Sequence, residues 1–189
     1  MNARRFTTAL IALLTVAAAS AARAQTLTPD EVVLRNYTLT VPKLEAWATA
    51  SLDFANAVKA MPASERARRK AEIEAQTNEQ ETESLAGMAA QLERVPEIRR
   101  AYRKVGLTTR EGVTLSFVLM QAVMFDQVAA MNPDAKVPYN MNPANVAFVR
   151  KNKAVITARM KAVEEANKAL EEKQSSDEPA ADDSTSVRP

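Results

Sequence analysis

Apolar side chains recur at intervals of three and four residues through most of the chain between Leu27 and Lys173, with charged side chains between them. This period matches the helical turn of about 3.6 residues, whereas no alternating polar and apolar run is long enough to indicate a strand. Prolines and glycines divide the pattern into five segments. The predicted helices are Pro29–Ala60 with a kink or break at Pro42, about Pro62–Arg94 with an interruption near Thr77–Asn78, Pro96–Val105, Thr109–Met131 and Pro143–Lys173.

Three of these segments begin with residues that are typical of helix N-termini. Thr28 precedes Pro29 and stands three residues before Glu31, so that a hydroxyl and a carboxylate are placed to satisfy unpaired backbone donors. The same logic applies to the segment Thr108–Glu111 and, with a proline at the first position, to Asn142–Pro143. We therefore predict an all-α protein, a single up-and-down bundle of four to five helices whose first helix is kinked at Pro42.

The most apolar run after the N-terminal segment is GVTLSFVLMQAVMF, residues 112–125. It is too short and too interrupted by polar residues to indicate a transmembrane helix, which needs about 20 apolar residues. Its helical spacing puts one row of apolar side chains on a single face, and further apolar residues widen that face to most of the circumference. The row consists of Val113, Phe117, Met120, Met124, Val128 and Met131. We predict that this helix is the centre of the core.

The same helix offers a second interpretation as a ligand site. Met120, Met124 and Met131 are thioether ligands of the kind that bind Cu(I). Since the row contains neither histidine nor cysteine, the packing of methionine into the core is favoured over copper. Trp47, Phe117 and Gln121 are the candidates for lining a pocket for a small apolar molecule, although such residues more often pack or bond to neighbouring helices.

Two further segments are candidates for contact with a partner protein. The connector NPDAKVPYNMNP, residues 132–143, is stiffened by three prolines and presents Tyr139 and Met141. The last helix carries a heptad seam that thins towards Leu170, which suggests that its end projects and pairs with another helix. A plain crossover loop and a solvated helix end are the simpler alternatives.

The N-terminus has the pattern of an export signal. Arg4 and Arg5 precede an apolar block from Ala9 to Ala19, and the triplet at 22–24 has the Ala-x-Ala spacing of a cleavage site. We predict a signal peptide over residues 1–24 that is cleaved after Ala24, and a periplasmic or secreted mature protein. The general secretory route is favoured over the twin-arginine route, because only the arginine pair of the latter motif is present.

Removal of residues 1–24 changes the charge balance of the chain. The full sequence has 25 basic and 23 acidic residues, and loss of three arginines leaves 22 and 23, a net charge of about −1. A nearly neutral protein gives no electrostatic reason to expect nucleic acid as a partner. The helical domain is predicted to span residues 25–173, followed by a disordered acidic tail over 174–189, where large apolar residues are scarce.

The residue types that are missing exclude several chemistries. The chain has no histidine and no cysteine, so Ser-His-Asp and Cys-His catalysis, thiolate metal sites and disulfides cannot be assembled. Its three glycines do not form a phosphate-binding loop. The sequence therefore predicts a soluble, non-enzymatic interaction protein of the bacterial cell envelope that needs no cofactor and does not span the membrane after processing. A bundle that binds a small ligand or copper is the alternative.

Overall fold

The computed structural model describes residues 26–76 and 83–177, and over these ranges the chain forms eight helices and no strand. The prediction of an all-α protein is confirmed. The helices are α1 Pro29–Asn36, α2 Val41–Ala60, α3 Ala63–Gln76, α4 Leu85–Glu93, α5 Pro96–Lys104, α6 Thr109–Met131, α7 Pro143–Lys151 and α8 Lys153–Asp177. Their number exceeds the predicted four to five, because the first, second and last predicted helices are each divided.

The helix starts form as their side chains predict. At α1 the Glu31 amide donates to the Thr28 hydroxyl at 3.2 Å, and the Thr28 amide donates to the Glu31 carboxylate at 2.8 Å. The bond from the Thr28 amide is the main reason that the pKa of Glu31 is lowered. Thr108 accepts the Glu111 amide at the start of α6 at 3.1 Å, and Asn142 accepts the Ala144 amide at the start of α7 at 3.0 Å.

The first predicted helix is in fact two helices: of the kink or break predicted at Pro42, the structure has a break just before it. α1 ends at Asn36, an extended segment runs from Tyr37 to Thr40, and Thr40 caps α2. Pro42 lies in the first turn of α2, where its missing amide hydrogen would have no partner within the helix. The break occupies the turn before the proline, where a continuous helix would bring the Pro42 ring against the Thr38 carbonyl.

The last predicted helix is divided at Asn152, whose side-chain amide donates to the Phe148 carbonyl at 2.8 Å where α7 ends. α8 then continues to Asp177, so the first four residues of the predicted acidic tail are helical. The remainder of that tail, the predicted signal peptide and the predicted interruption at Thr77–Asn78 lie outside the described residues.

α6 is the central helix, as predicted. It packs against α1, α2, α4, α5 and α7, while α2 packs along α5 and α8. The turn from α5 into α6 passes through Gly106 at a φ of 77°, a conformation that side chains with a Cβ rarely adopt. α6 is also long and apolar enough to cross a bilayer, a property that core helices of soluble proteins share, and 44% of its most apolar 18-residue window is buried.

Two apolar clusters hold these helices together. The larger one joins α2, α6, α7 and α8 around Leu44 and Leu115, which are both fully buried. The smaller one joins α4 to the first half of α6 through Leu85, Ala89 and Val113. At about 1.5–3 kcal/mol for each large side chain, such burial is the main force that opposes the entropy of the unfolded chain.

A buried asparagine ties the break between α1 and α2 to α7. Asn145 is 1% exposed; its side-chain oxygen accepts the Leu39 amide at 2.9 Å and its side-chain nitrogen donates to the Tyr37 carbonyl at 2.8 Å. Asn142 donates to the same carbonyl at 3.1 Å. These bonds satisfy backbone groups that the extended segment leaves without helical partners.

Candidate functional sites: an open helix face and an apolar cleft

One face of α6 is open to solvent over its last three turns. The side chains of this methionine row are Met120, Met124, Val128 and Met131, with exposures that run from 37% at Met124 to 80% at Met131. The prediction that this face is buried core is right for Val113 but wrong for the methionines. An exposed apolar row of this kind is uncommon on a monomer and often marks an interaction site.

The open row results from a difference in helix length. The hydroxyl of Thr109 donates to the carboxylate of Glu93, so the end of α4 lies at the start of α6 and the two helices run antiparallel. α4 has 9 residues and α6 has 23, which at about 1.5 Å per residue gives lengths of roughly 13 and 34 Å. α4 therefore covers the face at Val113 and Phe117 and leaves it bare beyond.

The methionine row carries no charge. Asp126 is the sole ionisable residue of α6 after Glu111, and it is buried on another side of the helix. Its carboxylate accepts hydrogen bonds from Arg150 at 2.9 Å and from Lys153 at 3.4 Å. The Arg150 bond is the largest of the effects that lower the pKa of Asp126.

The three methionines cannot bind one copper ion together. Met120 and Met131 are 11 residues apart on one helix, a rise of about 16 Å, which is far more than the ligands of a single ion can span. Met120 and Met124 are one turn apart and remain able to approach each other. In the ranges 26–76 and 83–177 no group of three or more acidic, histidine or cysteine side chains is placed to hold a metal.

A second candidate site is an open apolar cleft of about 260 Å³ between α2, α5, α6 and α8. Aromatic, aliphatic and uncharged polar side chains line it, and none of them is ionised at neutral pH. The lining residues are Trp47, Ala50, Ser51, Phe54, Leu92, Ile98, Ala101, Tyr102, Ser116, Val163 and Asn167.

Hydrogen bonds hold the polar floor of this cleft in place. The indole of Trp47 donates to the Ser116 hydroxyl at 2.8 Å, and that hydroxyl donates to the Gly112 carbonyl at 2.9 Å. The Tyr102 phenol lines the same part of the cleft, and burial raises its pKa. The Tyr102 ring lies directly against Gly112, in space that a Cβ atom would fill.

Of the three predicted pocket residues, the structure places only Trp47 in the cleft. Phe117 packs in the smaller core cluster against α4. Gln121 is half-buried on α6, and its side-chain amide makes no hydrogen bond to the described residues. Tyr102 and Ser116 are in the cleft but were not identified from the sequence, because a helical pattern does not say which neighbouring helix faces each side.

The predicted partner-contact residues differ in accessibility. Tyr139 is exposed, whereas Met141 is half-buried and its amide donates to the Pro138 carbonyl at 3.0 Å. The loop is anchored nearby, because the Asn140 side chain donates to Glu31 at 2.9 Å. The connector is thus partly fixed to α1.

The prediction of a projecting contact at Leu170 is wrong, because this side chain is 9% exposed. α8 runs beside α2 from the ion pair of Arg159 with Glu45, at 2.8 Å, to Asn167 at the cleft. Leu170 lies about one turn further on, in the part of the chain that packs along α2.

A shallow depression on α5 was also overlooked in the sequence, although the pattern RRxxRK at 99–104 is visible there. Pro96, Arg99, Arg100, Arg103 and Lys104 line about 430 Å³ of it. Glu93 pairs with Arg103 at 3.3 Å and Asp53 pairs with Lys104 at 2.7 Å. Acidic neighbours therefore balance part of its positive charge.

The methionine row and the cleft differ in chemistry, since the first is an exposed row of apolar side chains and the second is a cleft with a hydrogen-bonded floor. No family model matches this chain, and no curated protein or solved structure gives a significant match to it.

Proposed function

We propose that this protein is an exported, non-enzymatic interaction protein that binds an amphipathic helix of a partner polypeptide in the cell envelope through the methionine row of α6. The open apolar face itself is the observation that carries this proposal. α4 already covers the first part of the same face with an antiparallel helix. A partner helix would extend that packing over the remaining three turns.

The chemistry of the row favours a short, apolar helix face as its occupant. Methionine side chains are unbranched and flexible, so they adapt to different apolar shapes. The row lacks charges, which means that a charged partner surface would be desolvated without compensation.

The bundle supports this role as a rigid scaffold. We interpret the antiparallel pair α4 and α6, with α2 and α8 beside it, as an up-and-down arrangement that holds the row in place. Catalysis has little support: histidine and cysteine are missing, and the buried carboxylate of Asp126 is already engaged by Arg150 and Lys153.

Photo-crosslinking in the producing cells tests the proposed partner. A benzoylphenylalanine at Met124 is expected to form a discrete adduct with another polypeptide, whereas the same group at Thr157, an exposed site on α8, is not. An adduct with a second copy of this chain, or equal adducts at both sites, would contradict the proposal.

Once crosslinking has identified the partner helix, substitutions in the methionine row test its affinity for this protein. The double variant M120Q/M124Q is expected to bind it at least tenfold more weakly, a loss of about 1.4 kcal/mol, because the glutamines must be desolvated. M141Q is the control, since Met141 lies in the connector outside the row. A larger effect of M141Q would move the contact to the connector.

A copper site at Met120 and Met124 is the alternative, supported by two thioethers that are exposed one turn apart. The variant M120L/M124L separates the two roles, because leucine keeps the apolar surface and removes the sulfur atoms. Retention of Cu(I) by the wild type in native mass spectrometry, with loss in this variant, would support copper. Binding of the partner helix by the leucine variant supports docking.

We also propose that residues 1–24 are a cleaved signal peptide and that the mature protein is soluble. Arg4, Arg5 and the triplet at 22–24 support cleavage after Ala24. The engagement of Asp126 by two cations of the same chain supports a core role for α6 instead of a bilayer span. Intact mass spectrometry of protein from the producing cells is expected to give the mass of residues 25–189, and a mass that includes residues 1–24 would disprove cleavage.

A further inference from the structure

We infer that the cleft between α2, α5, α6 and α8 is a binding site for a neutral, mainly apolar small molecule of about bicyclic size that carries one hydrogen-bonding group. This inference does not depend on the methionine row. It rests on the volume of the cleft, on its uncharged lining and on one polar side chain at its mouth.

The volume sets the size of the ligand. The cleft encloses about 260 Å³, whereas a closed apolar cavity of about 150 Å³ in another protein holds benzene. Drug-sized ligands occupy pockets of about 300–1,000 Å³. A molecule with two small fused or bridged rings lies between these limits.

The lining sets the polarity of the ligand. Trp47, Phe54 and Tyr102 contribute aromatic surface, and the lining formed by the described residues contains no acidic or basic side chain. A charged ligand would lose its hydration without gaining an opposite charge. A neutral molecule with a large apolar surface avoids this loss.

The polar groups of the cleft are of two kinds. Two of those on the floor are already used, because the Trp47 indole donates to the Ser116 hydroxyl and this hydroxyl donates to the Gly112 carbonyl. The side-chain amide of Asn167 makes no hydrogen bond within the described parts of the chain and stands at the exposed edge. A hydroxyl or carbonyl group of the ligand is expected to bond to this amide, while the apolar body contacts the rest.

The floor is organised before the ligand arrives. The ring of Tyr102 is fixed against Gly112, and the indole of Trp47 is held by Ser116. Because these side chains are already ordered, a ligand loses less of its binding free energy to immobilising them.

Trp47 is the single tryptophan of the chain, so its fluorescence reports directly on the cleft. The probe is borneol, a bicyclic alcohol that does not absorb at the wavelengths used. We expect a saturable change in Trp47 emission on titration of the mature protein. Camphorsulfonate, of similar size but charged, is expected to bind at least tenfold more weakly. No saturable change with borneol, or equal affinity for camphorsulfonate, would overturn the inference.

Two variants test whether borneol binds in the cleft. V163F fills the cleft and is expected to weaken the binding of borneol at least tenfold. V155F makes the same change on an exposed part of α8 and is expected to leave binding unchanged. N167L is expected to weaken the binding of borneol severalfold without weakening the binding of the parent hydrocarbon, bornane. Equal effects of V163F and V155F on borneol binding would contradict the assignment of the site to the cleft. Equal losses of affinity for borneol and bornane in N167L would contradict the hydrogen bond to Asn167. Circular dichroism checks the fold, and N167L decides the outcome even if V163F unfolds.

Discussion

Replacement of Asn145 by alanine is expected to lower the free energy of unfolding by about 3–5 kcal/mol. The variant leaves the Leu39 amide without its partner and removes one of the two donors to the Tyr37 carbonyl, which keeps its bond from Asn142. A buried polar group without a partner costs about 1–3 kcal/mol, and the missing side chain also leaves a cavity at a fully packed position.

Asn140→Ala is the matched control in the same part of the chain. Asn140 donates one hydrogen bond to Glu31 near the surface, so its loss is expected to cost at most about 1 kcal/mol. Urea unfolding followed by circular dichroism measures both variants. Equal destabilisation by the two substitutions would show that Asn145 does not hold α1, α2 and α7 together.

Asn145→Asp separates the two hydrogen bonds of this residue. A carboxylate still accepts the Leu39 amide but faces the Tyr37 carbonyl, a second acceptor, instead of donating to it. The aspartate variant is therefore expected to be strongly destabilised at neutral pH although its shape is almost unchanged. A stability close to that of the wild type would mean that shape, and not donor and acceptor chemistry, explains the alanine result.

Replacement of Gly112 by leucine is expected to cost about 3 kcal/mol, the upper end of the usual effect of overpacking. A Cβ at this position would lie 2.3 Å from the ring of the half-buried Tyr102, so this ring has to move. Movement of the ring also disturbs the bonds of Ser116 to Trp47 and to the Gly112 carbonyl. The higher helix propensity of leucine than of glycine offsets at most about 1 kcal/mol of this destabilisation.

Thermal unfolding measures this effect, at roughly 2–4 °C for each kcal/mol in a chain of this size. Ala130→Leu, at an exposed position of the same helix, is the control and is expected to change stability by at most about 0.5 kcal/mol. Tyr102→Leu in the Gly112→Leu background is expected to recover part of the loss, because the smaller side chain makes room. Strict additivity of the two substitutions would contradict a direct contact.

The helix starts illustrate what local chemistry predicts well. The side chains of Thr28, Thr108 and Asn142 accept hydrogen bonds from backbone amides two or three residues away, and α6 has the predicted bounds Thr109–Met131. The positions of the breaks were harder to predict. The chain leaves helix at Tyr37 because Asn145, 108 residues later, accepts and donates the bonds that a helix would otherwise make.

The candidate sites were predicted only in part. Trp47 was identified, but its partners Ser116 and Tyr102 depend on how α2, α5 and α6 pack. The methionines of α6 were identified too, although as core residues and as a copper site. Their exposure depends on where α4 begins, and an apolar row has the same pattern whether or not another helix covers it.

The sequence by itself determined the helical class, the starts of α1, α6 and α7, the central place of α6 and the lack of histidine and cysteine chemistry, since these follow from short-range bonding and residue type. The tertiary structure alone decided which part of the α6 face stays bare, which side chains meet in the cleft and where Asn145 replaces helical bonds. These features depend on contacts between distant segments, and the relative positions of the helices are not encoded in the period of any one of them.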